Sequence, residues 1–184
     1  MYEVEVKVRA DHASVRERLA DRGAERVNAV EQEDVYYDAP HREFAETDEA
    51  LRVRRERPTD AEPFAELTYK GPLVEAESKT RREIETEVAE GEAAGDILSA
   101  LGFDPAATVR KERERFALDG YTVTLDSVEG LGEFVEVETE VDDEGSVEAA
   151  REAAFDVLRD LGLDPDAQIR TSYLGLLLET ESEE

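Results

Sequence analysis

The chain has 184 residues, enough for one domain with a substantial core, and its 49 acids against 22 bases give a formal net charge of −27. Such acidity argues against a nucleic-acid partner, which needs a basic patch, and the absence of cysteine excludes disulfides and thiolate metal sites. The opening M-Y-E-V-E-V has neither region of a signal peptide, and the longest late apolar run, Tyr173 to Leu178, is too short to cross a bilayer, so a soluble cytoplasmic protein is expected.

A first strand covers roughly 2–10, where E-V-E-V-K-V-R puts Tyr2, Val4, Val6 and Val8 on one side and Glu3, Glu5, Lys7 and Arg9 on the other. Asp11 and Ser14 offer N-caps for a helix running to about Arg22 and stopped by Gly23. Strands follow near 29–38, 50–57 and 64–71, with a loop or short turn at 41–49. A polar loop at 73–80 leads to a strand at 81–88 that carries Arg81, Glu83, Glu85 and Glu87 on one face. L-S-A-L-G-F-D-P (98–105) and L-R-D-L-G-L-D-P (158–165) each end a helix, and each is followed by A-x-[VI]-R. The pattern reads as a duplicated strand–helix–strand unit. Between the copies lie strands at 107–117, 120–127 and 132–142, the first two joined by an Asp119-Gly120 hairpin turn. Residues 169–179 are ambiguous between strand and short helix. About eight strands with three intervening helices result: an α+β sheet with one apolar face and one charged face. It either lies open in water or closes into a barrel with its charges inside.

The charged face recurs at period two: Arg52 and Arg54, Lys70, Arg81, Lys111 and Arg113 among the cations, Glu3/Glu5, Glu136/Glu138 and Asp126 among the acids. Only four lysines stand beside 18 arginines, and three of the four lie in these strands. Like charges two residues apart sit roughly 7 Å from each other and need compensation. Paired carboxylates ask for Mg²⁺ or Mn²⁺, while clustered arginine and lysine ask for an oxyanion such as phosphate. Together they describe a site for a metal-bound polyphosphate. The acids elsewhere are spread over patterned elements, which fits adaptation to concentrated salt better than disorder. His12 and His41 read as surface residues, and Tyr36, Tyr37 and Tyr173 as packing groups.

In these residues the chain resembles the CYTH domain proteins, or triphosphate tunnel metalloenzymes: class IV adenylyl cyclases, thiamine triphosphatases and inorganic triphosphatases. Glu3-x-Glu5-x-Lys7 matches the family's N-terminal hallmark. Arg52-x-Arg54, Thr68-Tyr69-Lys70-Gly71-Pro72, Arg81-x-Glu83-x-Glu85, Lys111-x-Arg113, Asp126 and Glu136-x-Glu138 follow in order. The resemblance implies a single domain over 1–180 with an acidic tail at 181–184, folded as a closed eight-stranded antiparallel β-barrel with flanking helices. It implies phosphate contact by Lys7, Arg52, Arg54, Lys70, Arg81, Lys111 and Arg113, with Lys7, Arg54, Lys111 and Arg113 catalytic. Metal binding falls to Glu3, Glu5, Asp126, Glu136 and Glu138, holding Mg²⁺ or Mn²⁺. Internal pairing with arginines is the alternative role for Glu83, Glu85 and Glu87. The wording Q-E-D-V-Y-Y-D-A-P, L-T-Y-K-G-P and L-D-S-V-E-G-L-G-E-F-V-E-V-E points to the class IV cyclase branch, which converts ATP to 3′,5′-cyclic AMP and pyrophosphate. A triphosphatase acting on thiamine triphosphate, a nucleoside triphosphate or tripolyphosphate is the first alternative, and a non-catalytic polyphosphate- or nucleotide-binding module the second. Cyclase-branch relatives are often homodimers, but no stripe here marks an interface, and no membrane partner is expected.

Overall fold

A computed structural model describes residues 1–74 and 79–182; part of the polar loop and the end of the acidic tail expected from the sequence lie outside them. Eight strands close into an antiparallel barrel in the order β1-β5-β4-β3-β2-β6-β7-β8. They are β1 Tyr2–Arg9, β2 Glu25–Asp38, β3 Ala50–Pro58, β4 Phe64–Leu73, β5 Arg81–Val88, β6 Asp104–Leu118, β7 Tyr121–Val128 and β8 Gly132–Val141. The helices are α1 His12–Asp21, α2 Phe44–Thr47, α3 Gly91–Ala100, α4 Val147–Asp160 and α5 Tyr173–Ser182. Closure resolves the choice that the charged face left open: each strand has a neighbour on both sides, and the charged side turns inward.

The apolar side of each strand faces out, against helices. Val6 and Val8 of β1, Leu125 of β7 and Val135 and Val137 of β8 pack on Val15 and Leu19 of α1 and Ala154, Val157 and Leu158 of α4. On the opposite flank α3 covers Tyr37 and Val53 through Leu98. Gly95 permits that seat, because a Cβ there would lie 2.5 Å from the Tyr37 hydroxyl. The third cluster plugs one end of the barrel. There α5 meets lumen-facing Val109, Val128 and Phe134 through Tyr173, Leu174, Leu176 and Leu177. The ambiguous 169–179 segment is therefore helical from Tyr173 onward.

β1 pairs with β8 along its whole length, but with β5 only at Tyr2 and Glu3. Further along, the carbonyls of Glu5 and Lys7 instead accept from the backbone N–H groups of Lys79 (3.3 Å) and Ile169 (2.7 Å). Two non-strand segments thus complete the barrel wall beside the lumen. The Asp119-Gly120 turn has φ of 52° and 83°, the doubly positive pattern of a type I′ hairpin.

The sixty-residue repeat is not a duplicated unit. Its first copy runs into β6, whereas its second runs into a 3₁₀ turn, Pro165–Ala167. What repeats is a helix ending. Phe103 N–H bonds to Leu98 O and Gly102 N–H to Ser99 O, and the same pair of bonds joins Leu163 to Leu158 and Gly162 to Arg159. α1 ends identically at Gly23 and Ala24. Leucine, glycine and a following apolar residue are what this cap requires, so the likeness is local chemistry.

Candidate active site

Strand alternation delivers the charged set to the lumen. Glu3, Glu5, Arg52, Arg54, Lys70, Arg81, Lys111, Arg113, Glu136 and Glu138 all line one cavity, with Lys79 and Tyr173. Lys7 and Asp126, 1% and 0% exposed, are buried beside it through their contacts with Glu136 and Arg113. The cavity is small, about 90 Å³, because oppositely charged side chains close on each other across it. All twelve residues singled out from the sequence thus converge inside the barrel.

On β6, β7 and β8, Arg113 donates Nε to Asp126 Oδ1 (2.6 Å) and Nη2 to both Asp126 Oδ2 and Glu136 Oε2 (2.5 Å each). Lys111 Nζ reaches Asp126 Oδ2 at 3.3 Å. Although burial opposes it, these cations hold the Asp126 carboxyl well below the usual range. A parallel assembly occupies β2 and β3. Asp34 accepts a fork from Arg54 (2.6 and 2.7 Å) and lies 3.6 Å from Arg52. Asp34, 2% exposed, is likewise held well below the usual carboxylate range by the two guanidiniums, against its burial.

β1, β8 and β5 present a different arrangement. Glu3, Glu5 and Glu138 each bring a carboxylate oxygen within 4.8 Å of the others. Lys70 donates to Glu3 at 3.1 Å and also to Glu83, and Lys79 approaches Glu5 at 3.4 Å. Burial, joined by the carboxylates of Glu3, Glu136 and Glu5, pushes Glu138 up to about 7 despite Arg113. Burial and Glu3 push Glu83 up to about 8. Glu5 goes the other way: burial would raise it, but Lys79 and Lys7 bring it down to about 2. Lys7 and Lys111 are pushed down to about 8, by burial first and then by Lys79 and Arg113 respectively.

Arg81 donates to the carbonyl (2.8 Å) and carboxylate (3.1 Å) of Asp48 at the cavity mouth, whereas Arg82 is exposed, as the strand phase requires. Of the three β5 acids, Glu83 pairs with a lysine rather than an arginine, and Glu85 and Glu87 are exposed. His12 is a correction: it is 4% exposed, with Nε2 2.9 Å from the carbonyl of Phe134, because its ring folds under the first turn of α1 against β8. Sequence reasoning missed Asp34, which stands alone in Q-E-D without a paired acid. It also missed Lys79, which sits in a polar loop, and the lumenal position of Tyr173. For Lys79 the scarcity of lysine was a usable signal.

A family model for the CYTH domain matches residues 1–173. A Methanocaldococcus jannaschii protein provisionally named an adenylate cyclase (MJ0240) is 39% identical over 177 residues, 96% of this chain and 98% of its own. Adenylate cyclase CyaB of Aeromonas hydrophila is 29% identical over 149 residues, 81% of this chain and 73% of its own. The solved PH1819 protein of Pyrococcus horikoshii superposes with a TM-score of 0.90 at 41% identity, covering 97% of this chain and 99% of its own. A Hippeastrum protein described as having a dominant triphosphatase activity shares the fold at 16% identity and a TM-score of 0.66, with 97% and 95% covered.

Proposed function

Because this chain belongs to the CYTH domain family, we propose that it is a metal-dependent enzyme acting on a linear triphosphate in its barrel, most closely a class IV adenylate cyclase. One arrangement carries the reading. Cations from four strands and a carboxylate triad from two others line a single cavity inside the barrel. Buried charges of both signs at this density are costly unless a ligand of mixed charge completes them.

Glu3, Glu5 and Glu138 fit Mg²⁺ or Mn²⁺: they are oxygen donors, close together, and one is pushed up to about 7 by burial and its neighbours, a strain that a cation relieves. Asp126 and Glu136 belong to the proposed metal set as well. Each accepts from Arg113 here, and a phosphate drawing on Arg113 would release carboxylate oxygens. Bound there, the ion would neutralise phosphate charge and polarise the phosphoryl group. Arg52, Arg54, Lys70 and Arg81 hold phosphate oxygens. Lys7, Arg54, Lys111 and Arg113 stabilise charge at the transferring phosphorus and on the leaving pyrophosphate. The ribose 3′-hydroxyl attacks the α-phosphorus, the bond to pyrophosphate breaks, and the hydroxyl proton ends on the released pyrophosphate. The names of the two curated relatives favour this over hydrolysis.

Product analysis tests it. The protein is incubated with ATP, and separately with tripolyphosphate, each with Mg²⁺ or Mn²⁺. Cyclic AMP with pyrophosphate is the expected outcome. Orthophosphate from either substrate makes the protein a triphosphatase instead, tight binding without turnover makes it a binding module, and no binding refutes the lumenal site.

A further inference from the structure

Tyr173 has no part in the reaction just described, yet α5 inserts it into the lumen beside two of the proposed catalytic cations. Lys7 Nζ lies 4.2 Å and Lys111 Nζ 4.9 Å from its ring centroid. Phe134 meets the same ring edge-on at 5.0 Å and fixes it. An aromatic face between two ammonium groups offsets their mutual repulsion through its quadrupole. The packing leaves two polar groups unsatisfied. Lys7 Nζ is buried without a hydrogen-bond partner, its carboxylate neighbour Glu136 staying 4.0 Å away, and the Tyr173 hydroxyl, also buried, lies near the Asp126 carboxylate without closing a hydrogen bond of good geometry. Buried donors are ordinarily paired, so two orphans at one spot mark an acceptor that binding supplies. Burial and the carboxylates of Glu136 and Asp126 hold the phenol well above its usual value, which keeps it a donor.

We propose that Tyr173 is a substrate-binding residue whose hydroxyl donates to a phosphoryl oxygen held by Lys7 and Lys111, while its ring sets the two ammonium groups side by side. This rests on the polyphosphate reading of the lumen.

Calorimetric titration of the full chain with tripolyphosphate tests it. Tyr173→Phe keeps the ring and loses the donor; it should bind about tenfold more weakly or worse with an unchanged melting temperature. Tyr173→Leu, which also removes the ring, should be weaker still. Tripolyphosphate should perturb the near-ultraviolet tyrosine absorbance of the wild type, and Tyr173→Phe should lose that signal. If wild type and Tyr173→Phe bind equally while Arg54→Ala is weakened, the assignment falls and the lumen reading stands. If the wild type does not bind tripolyphosphate, both fall. Should Tyr173→Phe prove unfolded, the wild-type difference spectrum decides, and no tyrosine signal on saturation overturns the proposal.

Discussion

On the lumen wall built from β2, β3, β6 and β7, each buried aspartate is gripped by the fork of an arginine: Asp34 by Arg54 and Asp126 by Arg113. On the wall built from β8, β1 and β5, glutamates crowd together and share lysines, with Lys70 divided between Glu3 and Glu83 and Lys79 reaching Glu5 at 3.4 Å. The consequences are opposite. Bidentate pairing holds Asp34 and Asp126 well below the usual carboxylate range against their burial. Crowding, added to burial, lifts Glu138 to about 7 and Glu83 to about 8. The braced wall fixes where guanidinium groups point. The crowded wall keeps a demand for positive charge that point-like ammonium groups meet only in part. Acids and bases of one cavity are therefore locked in place on one side and left short of positive charge on the other.

Breaking the braced wall should cost most. Arg113→Ala strands both Asp126 and Glu136 in the interior, so it should lose about 3–5 kcal/mol of stability as well as turnover. Urea denaturation checks the first and product formation the second; a variant with wild-type stability would mean that these carboxylates are not held by Arg113. Asp34→Asn is milder, since the amide can still accept one bond from Arg54. It should cost about 1–3 kcal/mol and raise KM for the triphosphate more than it lowers kcat. An unchanged KM would separate Asp34 from the orientation of Arg54.

How much of this was legible beforehand follows the same division. Glu3-x-Glu5-x-Lys7, Arg52-x-Arg54 and Lys111-x-Arg113 announce a charged face because period two survives in the sequence. Asp34 does not, since its partner Arg54 lies 20 residues away and only the β2–β3 register joins them. The internal repeat misled because a helix cap demands the same leucine–glycine spacing wherever a helix ends. The C-terminal helix could not be told from a strand because Y-L-G-L-L-L lacks a polar period; what selects helix is the apolar barrel end that it plugs. Tyr173 followed as a packing group, which it is, with its lumenal hydroxyl visible only in three dimensions.

Relieving the crowded wall should have a smaller effect of the opposite sign. Glu138 is raised in the folded state, so its contribution to stability is fully present below the ordinary value of 4.5 and lost as pH rises through about 7. Glu138→Gln should therefore be more stable than the wild type at about pH 8, by on the order of 1 kcal/mol, and the gap should close at about pH 4. The same variant should bind Mn²⁺ more weakly in a direct titration. A variant that is less stable at high pH would show that Glu138 is satisfied rather than crowded.

The smallest effect concerns Lys111 on the braced wall, which burial and Arg113 bring down to about 8. Its ammonium form is what attracts phosphate, and a bound polyphosphate raises its proton affinity. Raising the pH through about 8 therefore discharges the free protein before the complex, and affinity must fall. Without added metal, tripolyphosphate binding should weaken severalfold from about pH 7 to about pH 9, equivalent to roughly 1 kcal/mol. Lys7, pushed down to about 8 by burial and by Lys79, contributes to the same slope. Lys111→Arg keeps its charge throughout that window and should flatten the profile without abolishing it, leaving the Lys7 component. A profile as steep in Lys111→Arg as in the wild type would assign the whole titration to Lys7 and remove Lys111 from the pH-sensitive part of the site.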